Sequence, residues 1–155
     1  MLRSIIITSL LLNGWISHGQ LKHVRFESLD SLQRQAPRTI VVFLHTDWCK
    51  YCHTMKNTTF KDQKVELLLN DHFYFVSFDG ESEEDVEFLG RTFKYKSTGK
   101  NTGVHELAEQ LGTKNGTLNY PTLTFLNHEY EIMYQHDGYI SGKNLSSMLV
   151  RLVDH

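Results

Sequence analysis

The sequence predicts an α/β fold in which a central mixed sheet is flanked by helices. Apolar, strand-like runs alternate with segments whose apolar residues recur at helical spacing, and their order is a βαβ unit followed by a ββα unit. The 155 residues contain two prolines and no visible low-complexity tract or internal repeat. We therefore expect one domain with a single core over residues 20–155, preceded by a leader.

The first half of the chain is expected to supply helices and strands in alternation. Ser28 is a candidate N-cap for a short first helix. Residues 39–44 form a continuous β-branched and apolar run, which is typical of a strand buried on both faces. A helix that carries both cysteines follows. Asp62 is expected to cap its second section or a separate helix, and residues 73–78 predict the next strand.

The second half is expected to supply a helix, two antiparallel strands and a closing helix. Apolar residues at helical spacing predict a helix over 104–111, with Gly112 at its C-terminal end. Residues 122–126 and 131–136 predict the strand pair, and Ser141 is the expected cap of the closing helix.

The segment 80–103 is longer than an ordinary connection, and it predicts an insert. Residues 86–88 and 91–95, separated by a glycine-containing turn, are typical of a β-hairpin. The aromatic residues of this insert could form a partner-binding flap or pack as a lid on the sheet edge, and we favour packing. The acidic run at 81–85 is interpreted as a solvated loop.

Both cysteines of the chain lie in the run Trp48-Cys49-Lys50-Tyr51-Cys52. A CxxC that starts a helix can close a disulfide across one turn, and unpaired N–H groups at the helix N-terminus favour a thiolate on the first sulfur. We therefore predict that Cys49 is the nucleophile and that Cys52 resolves the mixed disulfide. A structural zinc site would need two further ligands, and a purely structural disulfide across so short a loop would stabilise the fold little.

The first nineteen residues predict a cleavable signal peptide. A single arginine precedes an apolar stretch over 5–12, and Ser17 and Gly19 are small residues at the positions that a signal peptidase reads. The stretch is shorter than the about 20 residues that cross a bilayer, so we expect a periplasmic or otherwise exported protein with no stable membrane span after cleavage. An uncleaved anchor is the alternative. The net charge of −2 does not indicate a nucleic acid partner.

Two motifs together resemble the thioredoxin-like family. Residues 48–52 match the WCxxC of that family, and residues 120–122 match its loop in which a cis-proline faces the disulfide. Residues 59–65 further resemble the exported, thioredoxin-related branch that includes the C-terminal domain of DsbD. The resemblance implies a thioredoxin fold with an added β-hairpin insert around 80–103.

The resemblance also implies roles for residues near the cysteines. The backbone of Tyr120 would pair with an extended substrate chain, and Pro121 would keep competing groups and metals away from the sulfurs. Trp48 is interpreted as a lid beside the first cysteine, with a place in the core as the alternative. Lys50 and Tyr51, between the cysteines, are expected to tune the redox potential, because a cation beside a thiolate stabilises the reduced form.

Two positions depart from the family pattern. The family places a buried acid six residues before the first cysteine, where it takes the proton of the second; Phe43 stands there. The DsbD-type domain places another acid four residues after the second cysteine, and this position holds Lys56. Water, His45 or His53 could take over the proton, because imidazole titrates near neutral pH. Surface or packing roles for both histidines are the alternative.

Three functions are compatible with these residues. The leading one is an exported, monomeric thiol–disulfide oxidoreductase, either a protein disulfide reductase or an isomerase-like exchanger. It would act on protein disulfide substrates, would be recharged by an upstream thiol reductant, and would need no cofactor or resident metal. The second is a copper-binding module in which both thiolates, with His45 or His53, hold Cu(I). The third is a redox-inert interaction module built on the insert.

Overall fold

The computed structural model describes residues 20–153. The predicted signal peptide, residues 1–19, lies outside the described residues. Within 20–153 there are five α-helices: α1 (Phe26–Gln35), α2 (Lys50–Asn57), α3 (Gln63–His72), α4 (Glu106–Gly112) and α5 (Gly142–Val153). The strands of the same region are β1 (Thr39–His45), β2 (Phe73–Asp79), β3 (Val86–Phe88), β4 (Arg91–Phe93), β5 (Tyr95–Gly99), β6 (Thr102–His105), β7 (Thr113–Lys114), β8 (Thr117–Leu118), β9 (Thr122–Leu126) and β10 (Ile132–Asp137). Among these described helices, none has the length and apolar character needed to cross a membrane.

The central sheet has four strands in the order β10-β9-β1-β2. β1 runs parallel to β2 and antiparallel to β9, and β9 runs antiparallel to β10. The sheet is therefore mixed, as the sequence predicts. Residues 40–45 of β1 are all buried, because this apolar run lies in the middle of the sheet with helices on both faces.

Alternate residues of β1 enter two hydrophobic clusters on opposite faces of the sheet. Val41 and Phe43 belong to the first cluster, which α2, α3 and α5 complete. Ile40, Val42 and Leu44 belong to the second, which α1 and α4 complete. The packing of α2 against the first face fixes the cysteine-bearing helix beyond the C-terminal end of β1.

Two of the three predicted helix caps are confirmed. Asp62 caps α3, where Oδ1 accepts hydrogen bonds from two backbone N–H groups of the first turn at 3.0 and 3.1 Å. Ser141 Oγ accepts from a backbone N–H in the first turn of α5 at 3.4 Å. The prediction for Ser28 was wrong: α1 begins at Phe26 with Arg25 in the N-cap position. Burial of the Phe26 ring in the second cluster explains the earlier start.

The insert between β2 and α4 contains two hairpins. β3 and β4 pair across a turn at Leu89 and Gly90, both with positive φ, and this hairpin was predicted. β5 and β6 form a second, unpredicted hairpin. The helix predicted from residue 104 begins at Glu106 instead, because Val104 pairs with Lys96 in the second hairpin. Apolar spacing alone did not distinguish the end of a strand from the first turn of a helix.

The first hairpin packs onto the body of the domain. Phe88 and Phe93 are buried in the second cluster, and the centroid of the Phe88 ring lies 5.1 Å from that of Phe26 in α1. Tyr95, at the start of the second hairpin, is half-buried. The aromatic residues of the insert are therefore packed, as the favoured interpretation requires. Phe88 and Phe93 are not exposed to a partner, so they do not support the alternative of a partner-binding flap.

Candidate active site

Cys49 and Cys52 form a disulfide at the N-terminus of α2, with their Cα atoms 5.2 Å apart. Cys49 is the N-cap residue of this helix, and its Sγ accepts a hydrogen bond from the N–H of Cys52 at 3.1 Å. The first sulfur thus lies at the positive end of the helix dipole. In the reduced protein, the same position and the same N–H group would favour a thiolate.

The two cysteines differ in their access to solvent. Cys49 has 4% of its surface exposed, whereas Cys52 is completely buried. An incoming sulfur can therefore reach Cys49 first. Cys52 can react only with a partner already held at the neighbouring sulfur, which is what the predicted roles of nucleophile and resolving cysteine require.

Trp48 lies on the surface beside the disulfide, with 67% of its side chain exposed. Its indole Nε1 donates a hydrogen bond to Oε1 of Glu81 at 3.0 Å. Its ring meets the ring of Tyr120 edge to face, with 6.0 Å between centroids. This exposed position agrees with a lid and not with a core residue. Glu81 belongs to the acidic run that was interpreted as a solvated loop, and the sequence did not indicate its contact with Trp48.

The loop before β9 places Tyr120 beside Trp48. The Tyr120–Pro121 peptide bond is cis, as the resemblance implies. Tyr120 is half-buried, and its ring lies so close to Gly80 that a side chain at that position would overlap it. Burial raises the pKa of Tyr120, and the carboxylates of Glu81 and Asp79 raise it further. The phenol is therefore protonated at neutral pH and can act as a donor but not as a base.

A second aromatic pair includes a residue that lies between the two cysteines. Tyr51, between the cysteines, and Tyr139, in the loop after β10, are both exposed, with ring centroids 6.4 Å apart. The Tyr139 loop is held in place because the N–H of Gly138 donates to the carbonyl of Pro121 at 2.7 Å. Tyr139 was not predicted from the sequence, although an aromatic residue directly after a glycine at the end of a strand is an available signal. Lys50 is exposed.

An apolar ring and a cation occupy the two positions at which the family pattern implies acids. Phe43, at the position of the implied buried acid, is fully buried in the same cluster as both cysteines. Lys56 follows Cys52 by one helical turn, and its Nζ lies 3.1 Å from Nδ1 of His45, in position to donate. Burial, reinforced by Lys56, lowers the pKa of His45 to about 4, so this imidazole is neutral at pH 7.

The second candidate histidine, His53, lies at the surface of α2. Its Nε2–H donates to the backbone carbonyl of Asp47 at 2.6 Å.

Among residues 20–153, no group of three or more His, Cys, Asp and Glu side chains is arranged to hold a metal ion. The copper hypothesis therefore gains no further ligand group from the described part of the chain.

The fold is shared with solved thiol–disulfide proteins. The oxidoreductase DsbH aligns with a TM-score of 0.65 at 14% identity, over 96% of this chain and 95% of its own. A thioredoxin from Thermus thermophilus aligns with a TM-score of 0.60 at 21% identity, over 86% and 87%. The reduced C-terminal domain of DsbD from Neisseria meningitidis aligns with a TM-score of 0.53 at 12% identity, over 81% and 91%. Similarity at these identities shows the thioredoxin fold.

A family comparison covers most of the sequence. No curated protein sequence matches the chain significantly. A family model for a thioredoxin-like domain matches residues 26–152, a range that includes both cysteines and Pro121. The chain therefore belongs to the thioredoxin-like domain family.

Proposed function

We propose that the protein is an exported thiol–disulfide oxidoreductase that reduces or rearranges disulfides in other proteins. The observation that carries this proposal is the asymmetry of the CxxC pair. Cys49, at the N-cap of α2, keeps 4% of its surface exposed, whereas Cys52, one turn further in, has none. One sulfur is thus available to a substrate, and the second can act only after the first has reacted. The shared fold with oxidoreductases supports the same conclusion.

The proposed reaction is a pair of thiol–disulfide exchanges. The thiolate of Cys49 attacks one sulfur of a substrate disulfide, and the other substrate sulfur leaves as a thiolate that takes up a proton. The thiolate of Cys52 then attacks Sγ of Cys49 in the mixed disulfide, which releases the second substrate thiol and forms the Cys49–Cys52 disulfide. Two electrons pass to the substrate, so an upstream thiol reductant must restore the pair.

The surroundings of Cys49 suit a protein substrate. Trp48, Tyr51 and Tyr139 expose aromatic surface around the sulfur, and large rings of this kind bind apolar side chains. By family resemblance, the backbone of Tyr120 would pair with an extended substrate segment in the manner of an added strand. An open surface of this type favours unfolded or extended chains over a small disulfide molecule.

Export forms part of the proposal. Residues 1–19 carry the charge, apolar stretch and small residues of a signal peptide, with the domain following from residue 20. Disulfide-containing substrates are abundant in the periplasm and other oxidising compartments. There the protein would act as a monomer between a thiol reductant and its disulfide-bonded substrates.

Insulin reduction tests the proposal. We expect the protein with a thiol reductant to reduce insulin, Cys49→Ser to abolish this activity, and Cys52→Ser to stop after one exchange and accumulate a mixed disulfide that mass spectrometry detects. Lys22→Ser, a change at an exposed residue remote in sequence from the cysteines, is the control. Full activity in Cys49→Ser would contradict the mechanism.

A further inference from the structure

Glu81 holds the exposed indole of Trp48 beside the redox pair. The indole Nε1 donates to Oε1 of Glu81, and the backbone N–H of Glu81 donates to Oδ1 of Asp79, both at 3.0 Å. Asp79 ends β2 and lies beside His45 of β1 in the parallel register. The group that positions Trp48 is thus a carboxylate whose own backbone is tied to the end of the central sheet. With 67% of its surface exposed, Trp48 offers an accessible ring to a substrate.

The carboxylates around Trp48 are not neutralised by salt bridges. Asp47, which directly precedes Trp48, is exposed, and Asp79 and Glu81 are half-buried. Within the part of the chain that the structure describes, none of the three forms a salt bridge. Burial raises the pKa of Asp79, and the carboxylates of Asp47 and Glu81 raise it further, whereas the N–H of Glu81 and the charge of Lys56 lower it. The three carboxylates therefore lie close enough to repel one another.

The same negative charge reaches the loop along which a substrate is expected to lie. Besides burial, the carboxylates of Glu81, Asp79 and Glu109 raise the pKa of Tyr120. Glu109 is paired with Lys96 at 3.2 Å, so the unpaired charges among the three are those of Glu81 and Asp79. By family resemblance, the backbone of Tyr120 would pair with the substrate. A substrate segment in that position would pass through a negative potential.

The positive charges of this region belong to α2. Lys50 is the first residue of the helix and is exposed. Lys56 is half-buried, and its Nζ lies 3.1 Å from Nδ1 of His45. The charge of the site is therefore divided, with cations along α2 and carboxylates around Trp48. A substrate that matched this division would bring its own positive charge to the side of Trp48.

We propose that Glu81 and Asp47 make the protein selective for disulfides that have a lysine or arginine next to the reacting cysteine. The substrate cation would lie on the indole of Trp48 and donate a hydrogen bond to Glu81 while Cys49 attacks the disulfide. Indole rings attract such cations, and Oε2 of Glu81 remains as an acceptor because the indole uses Oε1. This selectivity rests on the proposed function, since it names the substrate class of the same exchange reaction.

Single-turnover reduction of two matched peptides tests the selectivity. One peptide carries lysines on both sides of its disulfide, and the other carries glutamates at the same places. The protein is reduced, freed of reductant and mixed with each peptide, and alkylation after an acid quench gives the second-order rate constant. Dithiothreitol supplies the reference rate for each peptide, because it also attacks as a thiolate. The ratio of the two corrected rate constants is the charge preference of the protein.

We expect the corrected rate constant to be about tenfold higher for the lysine peptide at low ionic strength, because complementary charge speeds the encounter. Salt screens exposed charges, so the preference should fall to about twofold or less at about 0.5 M salt.

Two isosteric variants assign the preference to named carboxylates. Glu81→Gln keeps an acceptor for the indole and removes the charge, so the preference should fall about twofold to fivefold, the usual effect of one exposed ion pair. Asp47→Asn should lower it in the same direction, and the double variant should lower it further than either change alone. Glu129→Gln is the matched control. Glu129 is an exposed glutamate in the turn after β9, at the opposite end of that strand from Pro121, and its variant should keep the preference of the wild type.

Three results would overturn the proposed selectivity: equal corrected rate constants for the two peptides, a preference that salt does not change, or an equal loss of preference in Glu81→Gln and Glu129→Gln. Reduction of both peptides at equal corrected rates would leave the proposed oxidoreductase function intact. Failure to reduce either peptide, in a protein whose cysteine pair never cycles, would overturn the proposed function and the selectivity together.

Discussion

Nζ of Lys56 lies 3.1 Å from Nδ1 of His45, one helical turn beyond Cys52. The contact joins a cation from α2 to a buried, neutral imidazole from the end of β1. Together with Phe43, these residues occupy the region in which the family pattern implies acids. At those two positions the protein therefore has an apolar ring and a cation in place of carboxylates, and a cation one helical turn from Cys52 would favour a thiolate there.

The first prediction concerns the charge of Lys56. Lys56→Met keeps the length of the side chain and removes the cation, so the reduced form should lose stabilisation. We expect the reduction potential to fall by about 10–30 mV, equivalent to a twofold to tenfold change in the exchange equilibrium. Equilibration with glutathione buffers measures the shift, with Lys64→Met as the control. A higher potential in Lys56→Met would show that the charge does not act as described.

The second prediction concerns the effect of His45 on stability. The pKa of this histidine is about 4 in the folded protein and near the ordinary value of 6.5 in the unfolded chain. Between these values the unfolded state binds more protons, so the free energy of unfolding should fall as the pH decreases from about 6.5 to about 4. The contribution is on the order of 2–3 kcal/mol.

Urea unfolding of the oxidised protein at several pH values measures this effect. His45→Gln keeps an acceptor for Lys56 and removes the titrating ring, so its stability should depend less on pH over the same interval. His53→Gln, at an exposed histidine of α2, should keep the slope of the wild type. An identical slope in wild type and His45→Gln would assign the pH dependence to other groups.

The third prediction concerns the aromatic surface around Cys49. Tyr139→Ala removes a ring that faces Tyr51 across the site, so the KM for a protein disulfide should rise about threefold to tenfold. The reduction potential should stay unchanged, because the sulfurs and their charged neighbours are untouched. Tyr134→Ala is a matched control, since both tyrosines are 45% exposed and Tyr134 lies on β10. Equal KM values for the two variants would show that Tyr139 does not contribute to substrate binding.

The fourth prediction concerns the insert. Phe88→Ala should lower the free energy of unfolding by about 3 kcal/mol, because it empties a buried position between the rings of Phe26 and Tyr130. Leu89→Ala, next to it at the exposed turn, should change stability by less than about 0.5 kcal/mol. Chemical denaturation measures both. A Phe88→Ala protein of full stability would favour the flap interpretation over packing.

The main helices and strands could be predicted from the sequence because each has a local cause. The apolar run of β1 can only be buried, Asp62 offers a carboxylate to the first turn of α3, and the CxxC spacing fits one turn of helix. The first hairpin was predictable for the same reason, because Leu89 and Gly90 form its turn.

The contacts that complete the site were less predictable, because they join segments that are distant in sequence. Glu81 reaches Trp48 across 33 residues, and Tyr139 follows Gly138, whose N–H donates to the carbonyl of Pro121. The second hairpin has short, largely exposed strands of little apolar character, so periodicity gave it no signal. Such features follow from the packing of the sheet and its loops.

The central claim is that Cys49 and Cys52 cycle between dithiol and disulfide. Equilibration of the purified protein in a series of thiol/disulfide buffers, followed by alkylation and mass measurement, counts the reduced cysteines at each potential. We predict a single reversible two-electron transition, with a midpoint between about −270 mV and about −120 mV, the range from thioredoxin to DsbA. A pair that remains oxidised, or remains reduced, in every buffer would contradict the proposed function.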